Sequence, residues 1–237
     1  MLLAALAALA GAAVQSATGF GFALVLSPAL FAVMEPAEAV TALLLLGAAL
    51  NLLVLLEAGD ARWRLLPPLL MAALPGLAVG AALLSVLSKE PLQVGVGLAV
   101  IAAAVWQLRH RAARRALPSG AGLVAGFTSG VLTTSISISG PPIVLWLEAQ
   151  GLSPAEFRAT LAAAFLALNV AGGAVLLGIE GSGAVDLGLL GPLLALVLAG
   201  YALGALAFRR LDPNRFSVIV LGLVACTGIA SVAAGVL

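Results

Sequence analysis

Between Leu132 and Pro142 the chain reads LTTSISISGPP. Five hydroxyl side chains, Thr133, Thr134, Ser135, Ser137 and Ser139, fall within seven positions, and Gly140, Pro141 and Pro142 follow at once. A hydroxyl donates and accepts, so a cluster of them can surround an anion without any fixed charge. Proline lacks an N–H and pushes the residue before it out of the helical region, so a helix entering this stretch should break and free backbone donors. The chemistry on offer is oxyanion binding by O–H and N–H groups. The competing reading is a kinked structural helix whose hydroxyls bond back to their own carbonyls, and the run alone favours neither. A second interruption tips the balance. From Gln15 to Pro28 the sequence QSATGFGFALVLSP carries Gln15, Thr18, Gly19 and Gly21 between two apolar arms.

Two asparagines, Asn51 and Asn169, stand in otherwise apolar runs and are further candidate donors; interhelical hydrogen bonding is the equal alternative for both. Gly76, Gly80, Gly200 and Gly204 read as close helix packing, as do Tyr201 and Cys226. Enzymatic chemistry finds little support. His110 lies in a basic loop with no acid placed near it, and no Asp or Glu sits in the middle of an apolar run. The hydroxyls therefore have no evident base to activate them. No cofactor or metal site is expected, and a lone cysteine excludes both an internal disulfide and a thiolate cluster.

The bulk composition sets the surroundings. With 63% hydrophobic and only 9% charged residues, against about a quarter charged in soluble domains, the chain reads as an all-α polytopic membrane protein with the lipid bilayer as its solvent. A net charge of +1 offers nothing to nucleic acid. The apolar start, MLLAALAALAGAAVQSA, imitates a signal peptide but lacks its positive first residues, and it is read here as structure.

Apolar runs are expected as short arms at Leu2–Val14 and Ala23–Val33, then as helices at Pro36–Glu57, Leu65–Leu87 and Leu92–Leu108. They resume as short arms at Ala121–Val131 and Ile143–Ala149, then as helices at Pro154–Leu177, Leu187–Phe208 and Phe216–Val236. Pro36-Ala-Glu and Pro154-Ala-Glu both open helices, and Asn51 and Asn169 lie fifteen residues downstream of them, 118 positions apart in each case. Gly76 and Gly80 match Gly200 and Gly204 at a spacing of 124, and Gly11–Pro28 aligns with Gly126–Pro142 to within one residue. One transmembrane domain over 1–237 made of two repeats, 1–112 and 118–237, with the basic loop 109–118 between them, accounts for these matches. If each broken segment is a re-entrant hairpin, each repeat has three transmembrane helices and the second repeat is inverted. The loops around Arg62, Arg111 and Arg210 then share the cytoplasmic face. Both tips would meet near the bilayer centre, where helix N-termini from Phe22 and Ile143 onward favour an anion.

GAAVQSATGFGFALVLSPAL in the first half and GFTSGVLTTSISISGPPIVLWLEAQGLSPAEFRATLAAAFLALN in the second resemble the TauE/SafE sulfite-exporter family of membrane permeases. The resemblance covers the whole chain. It implies a secondary transporter of small sulfur-containing anions, such as sulfite or sulfoacetate-like sulfonates, in a bacterial inner membrane, with alternating access. The second tip lacks the Gly-Gly often seen in that family. The residues expected to hold the anion are Gln15, Thr18, Gly19, Gly21, Asn51, Thr134, Ser135, Ser137, Ser139, Gly140 and Asn169. An anion channel or a non-transporting scaffold would use the same features differently: as a pore open to both faces, or as kinks and glue.

Overall fold

The computed structural model describes residues 2–92, 94, 95, 98, 120–180 and 187–208. Its elements are helices α1 (Leu2–Thr18), α2 (Phe22–Val33), α3 (Pro36–Ala58), α4 (Leu66–Val86), α5 (Ala121–Ile136), α6 (Gly140–Glu148), α7 (Pro154–Glu180) and α8 (Leu187–Phe208). A single 3₁₀ turn, Trp63–Leu65, leads into α4, and there is no strand among the described residues. Four stretches are long and apolar enough to cross a membrane: Pro36–Ala58, Trp63–Val86, Pro154–Ile179 and Gly188–Leu206. The expected helices over 92–108 and 216–236, the loop 109–118 with His110, and Cys226 lie wholly or almost wholly outside the described residues.

Each broken segment folds back on itself. Gly11 of α1 packs on Phe22 and Val25 of α2, where a Cβ would stand 2.9 Å from the Phe22 carbonyl oxygen. In the second hairpin Gly122 of α5 packs on the Trp146 ring of α6. A straight span would hold these partners far apart. The arms are less equal than the apolar runs suggested. At 1.5 Å per residue, the 17 residues of α1 and the 16 of α5 reach roughly 25 Å, most of an approximately 30 Å hydrocarbon layer. The return arms α2 and α6 are shorter, at 12 and 9 residues.

The second break falls earlier than the prolines indicated. α5 ends because Ser137 turns into the left-handed region (φ 59°, ψ 20°). The N–H groups of Ser137 and Ile138 reach back to the carbonyls of Thr133 and Leu132. Gly140, Pro141 and Pro142 then form the first turn of α6, where a missing N–H costs nothing. The return arm therefore starts at Gly140 and not at Ile143.

Packing follows one scheme. α3 lies against α7, α1 against α8, and α4 against α5. α3 and α7 run antiparallel: Glu57 near the end of α3 meets Arg158 near the start of α7, and Gly47 at mid-helix meets Asn169. They are the central pair, for 61% of the α3 window is buried against 22% for α8. In lipid there is no hydrophobic drive between helices, so small residues that let backbones approach carry the association. Gly76 and Gly80 of α4 stand on the carbonyls of Phe127 and Val131 in α5, and Gly200 and Gly204 of α8 stand on those of Leu9 and Ala13 in α1. Phe127 and Val131 lie 118 positions beyond Leu9 and Ala13. The same spacing relates the ends of α1 and α5 (Thr18, Ile136), the starts of α2 and α6 (Phe22, Gly140), and the starts of α3 and α7 (Pro36, Pro154). This corrects the alignment of Gly11–Pro28 with Gly126–Pro142. Pro28 sits inside α2, whereas Pro142 sits in the opening turn of α6.

Candidate functional site

The two tips open with the same backbone turn. Gly19 (φ 87°) and Ser137 (φ 59°) are both left-handed, and their N–H groups return to the carbonyls of Gln15 and Thr133. Glycine takes this conformation freely; serine does so at a cost. Ser137 is the only non-glycine residue with positive φ among those described. Such an outlier is held in place by its surroundings and marks a position worth attention.

Between the tips lies a cavity of about 40 Å³, lined by Gln15, Phe20, Gly21 and Phe22 from the first tip and Ser137, Ile138, Ser139 and Gly140 from the second. Gly47 and Asn51 of α3, with Phe165 and Asn169 of α7, close its sides. On this measure one water needs about 10–15 Å³, so the space holds a few waters or one small oxyanion.

The two walls differ in what they leave open. At the first tip the side chains of Gln15, Thr18 and Asn51 are all engaged, while the buried Ser16 hydroxyl, which does not line the cavity, has no partner among the described residues. Phe22 N–H, at the start of α2, donates to Gln15 Oε1 (3.1 Å). That fixes Gln15 Nε2 toward Asn51 Oδ1 (2.7 Å) and Asn51 Nδ2 toward the Gly47 carbonyl (2.8 Å). Thr18 Oγ1 closes the turn against the carbonyls of Val14 and Phe20. At the second tip Ser137 and Ser139 are buried residues that line the cavity. Neither hydroxyl is bonded to any described residue, and neither is the Asn169 amide. Gly140 supplies the backbone N–H at this end, since Pro141 and Pro142 have none. The Ser139 carbonyl is held by the Ser129 hydroxyl (2.9 Å), and the Ile136 carbonyl accepts from Ser27 of the other hairpin (3.3 Å).

Of the expected residues, the structure brings Gln15, Gly21, Asn51, Ser137, Ser139, Gly140 and Asn169 to the cavity. Thr18, Gly19, Thr134 and Ser135 do not line it. Thr134 Oγ1 donates across to the Leu77 carbonyl of α4 (2.7 Å), and Ser135 bonds back to Val131 (2.7 Å). Ser135, Ser137 and Ser139 do not share one face, as they would in an extended tip. Ser135 is still helical, Ser137 is left-handed and Ser139 is right-handed, so the two-residue period does not apply. Sequence reasoning missed Phe20, Phe165, Ser27 and Ser129, and it missed Arg158. That arginine lies inside the apolar stretch Pro154–Ile179, with its Cγ 3.3 Å from where a Cβ on Gly19 would stand. The missed hydroxyls and rings carry no local signal. Arg158 did carry one, since it is a charge five residues into a membrane helix.

The model of the sulfite exporter TauE/SafE family matches residues 3–231. The chain belongs to the TauE/SafE family. It is an integral membrane transport protein, of a family named for sulfite export. Comparison with curated proteins and with solved structures finds no match. In this TauE/SafE protein the polar groups left open at the cavity are those of Ser137, Ser139 and Asn169.

Proposed function

We propose that this protein is a secondary transporter of small sulfur oxyanions, with sulfite as the best-fitting size, and that the anion binds at the second tip. The observation that carries this is the pair of unbonded serines, Ser137 and Ser139, on the cavity wall at the N-terminus of α6. An anion in an apolar site needs fixed dipoles in place of water, and a hydrogen bond to a charged group contributes about 1.5–3 kcal/mol, which these open hydroxyls are placed to supply. Asn169 Nδ2 and the Gly140 N–H complete a donor set without a formal charge. The side chains of the first tip contribute shape, because Gln15 caps α2 and Asn51 is bonded to Gln15 and Gly47. Sulfonates with a carbon tail would require the Phe20 and Phe165 walls to move.

The 118-residue spacing and the antiparallel α3–α7 pair support two inverted repeats, each a re-entrant hairpin plus three spans, which rock about the cavity to expose it to one face at a time. The bacterial inner membrane is the expected location. Purified protein in liposomes should exchange labelled sulfite saturably, faster with sulfite on the far side. Flux that neither saturates nor responds to far-side sulfite would favour a channel. No flux and no thermal shift with sulfite, sulfate or sulfonates would favour a scaffold.

A further inference from the structure

Arg158 belongs to a small polar cluster outside the cavity. Its Nη2 donates to Glu57 Oε2 at 2.9 Å, and the Tyr201 hydroxyl donates to the same oxygen at 2.8 Å. Three helices, α3, α7 and α8, thus meet in one network, with the Arg158 stem packed on the tip glycine Gly19. Only 19% of the Arg158 side chain is exposed, and its Nε is fully buried with no acceptor. The Nε–H and Nη2–H bonds of a guanidinium point the same way, as two prongs of a fork that fits two oxygens of one oxyanion. Here Glu57 fills one prong and the other is empty.

A half-filled fork in a desolvated place is poor as a structural strut, because the unmet N–H carries a desolvation penalty. It is well suited to a group that changes partners. Glu57 holds the arginine with one oxygen, and an anion with two free oxygens would satisfy both prongs. Its position agrees with such a role. Gly19 and Phe20 are consecutive at the first tip, with Phe20 on the cavity wall and Gly19 against Arg158. One turn of chain separates the cavity from the guanidinium stem. The Arg62–Glu156 ion pair lies toward the start of α7, beyond Arg158.

We propose that Arg158 is a second anion station, between the cavity and the face that carries Arg62, which takes a two-oxygen anion from the serine site in exchange for Glu57. It rests on the transport reading above and adds the route of exit and a source of selectivity for oxyanions over halides. The serine site sets affinity; Arg158 sets the rate of passage. The fork, and not the charge alone, is the active feature, so lysine should not replace it.

The test pairs calorimetric sulfite binding with sulfite exchange in liposomes, on the parent and on Arg158→Gln, Arg158→Lys and Glu57→Gln. For both Arg158 variants the expected result is a sulfite Kd within about threefold of the parent with exchange at least tenfold slower. Glu57→Gln, which weakens the competitor, should lower the KM for sulfite presented at the Arg62 face several-fold. A merely structural cluster would instead lower thermal stability and leave that KM unchanged, which overturns the proposal. Exchange at the parent rate in Arg158→Lys or Arg158→Gln also overturns it. If both Arg158 variants fail to fold, the Glu57→Gln KM decides. If the parent itself binds no sulfite, sulfate or sulfonate, the transport reading fails and the second station falls with it.

Discussion

Ser137 combines two features that glycine and alanine separate. Its left-handed backbone costs roughly 1–2 kcal/mol for an L-residue, and it lines the cavity with a hydroxyl bonded to no described residue. Ser137→Gly should keep or raise the melting temperature while weakening sulfite binding. Ser137→Ala and Ser139→Ala keep the backbone demand and lose the donor. A hydrogen bond to a charged group is worth about 1.5–3 kcal/mol, so each change should weaken calorimetric affinity by roughly ten- to a hundredfold. Parent-like binding in the Ser137→Gly, Ser139→Ala double variant would remove the serines from the site. The asparagines divide in a way their matched spacing hides. Asn51 is bonded to Gln15 and Gly47, whereas Asn169 is open to the cavity. Asn51→Leu should therefore lower the melting temperature, since it strands the buried Gln15 amide. Asn169→Leu should lower affinity with a smaller thermal effect. Equal behaviour in both measurements would contradict the division. The sequence displayed a run of hydroxyls but not their aims. Thr133, Thr134 and Ser135 remain in a helix, where a hydroxyl finds a carbonyl one turn back or on a neighbour. Which residue ends the helix decides which hydroxyls are left over, and that depends on a single left-handed residue that no propensity would assign to serine.

At the scale of elements, apolar runs and helix-opening prolines located α3, α4, α7 and α8 closely, because a membrane span must be long and apolar whatever it touches. The hairpins were harder. Arm lengths depend on where the chain turns, and Gly-, Ser- and Pro-rich segments can be slid against one another by several residues without an obvious loss. The cross-packing of α4 on α5 and α1 on α8 was invisible, although the glycines that make it possible were noted. Those glycines give a sharp test. A side chain at Gly76 would collide with the Phe127 carbonyl, and one at Gly200 with that of Leu9, whereas Gly173 of α7 has open space. Backbone cannot shift as a flexible side chain can. Gly76→Val and Gly200→Val should each lose about 1–3 kcal/mol or more, read as a large drop in thermal stability in detergent. Gly173→Ala should be close to neutral. If Gly76→Val melts like Gly173→Ala, the α4–α5 contact is not as close as described.

For the molecule as a whole, the question is which ends of the helices share a face. Composition alone placed the chain in a bilayer, since so few charged residues leave no other solvent for its surface. Sidedness followed from arginine placement only if the broken segments re-enter, and the fold bears on that condition. Arg62, just beyond α3, pairs with Glu156 at the start of α7, and Arg158 pairs with Glu57. Around them Arg62, Trp63, Arg64, Gln150, Gly151 and Glu156 line one surface recess, so the loop after α3 and the loop after α6 are on one side. Two hairpins that re-enter produce this arrangement. If each broken segment crossed the membrane once, α3 and α7 would run parallel, and Asp60 and Gly151 would lie on opposite faces. Arginine collects on the cytoplasmic side of membrane proteins, so the face with Arg62 and Arg64 is the expected cytoplasmic one. With Cys226→Ser as the background, single cysteines at Asp60 and Gly151 should resist a membrane-impermeant thiol reagent in intact cells and react after permeabilisation. Cysteines at Glu35 and Lys89, at the opposite ends of α3 and α4, should react from outside. Labelling of Asp60 and Gly151 from different sides would refute the paired hairpins. Labelling of both from outside would keep the fold and reverse its orientation, and with it the face at which Arg158 meets the anion.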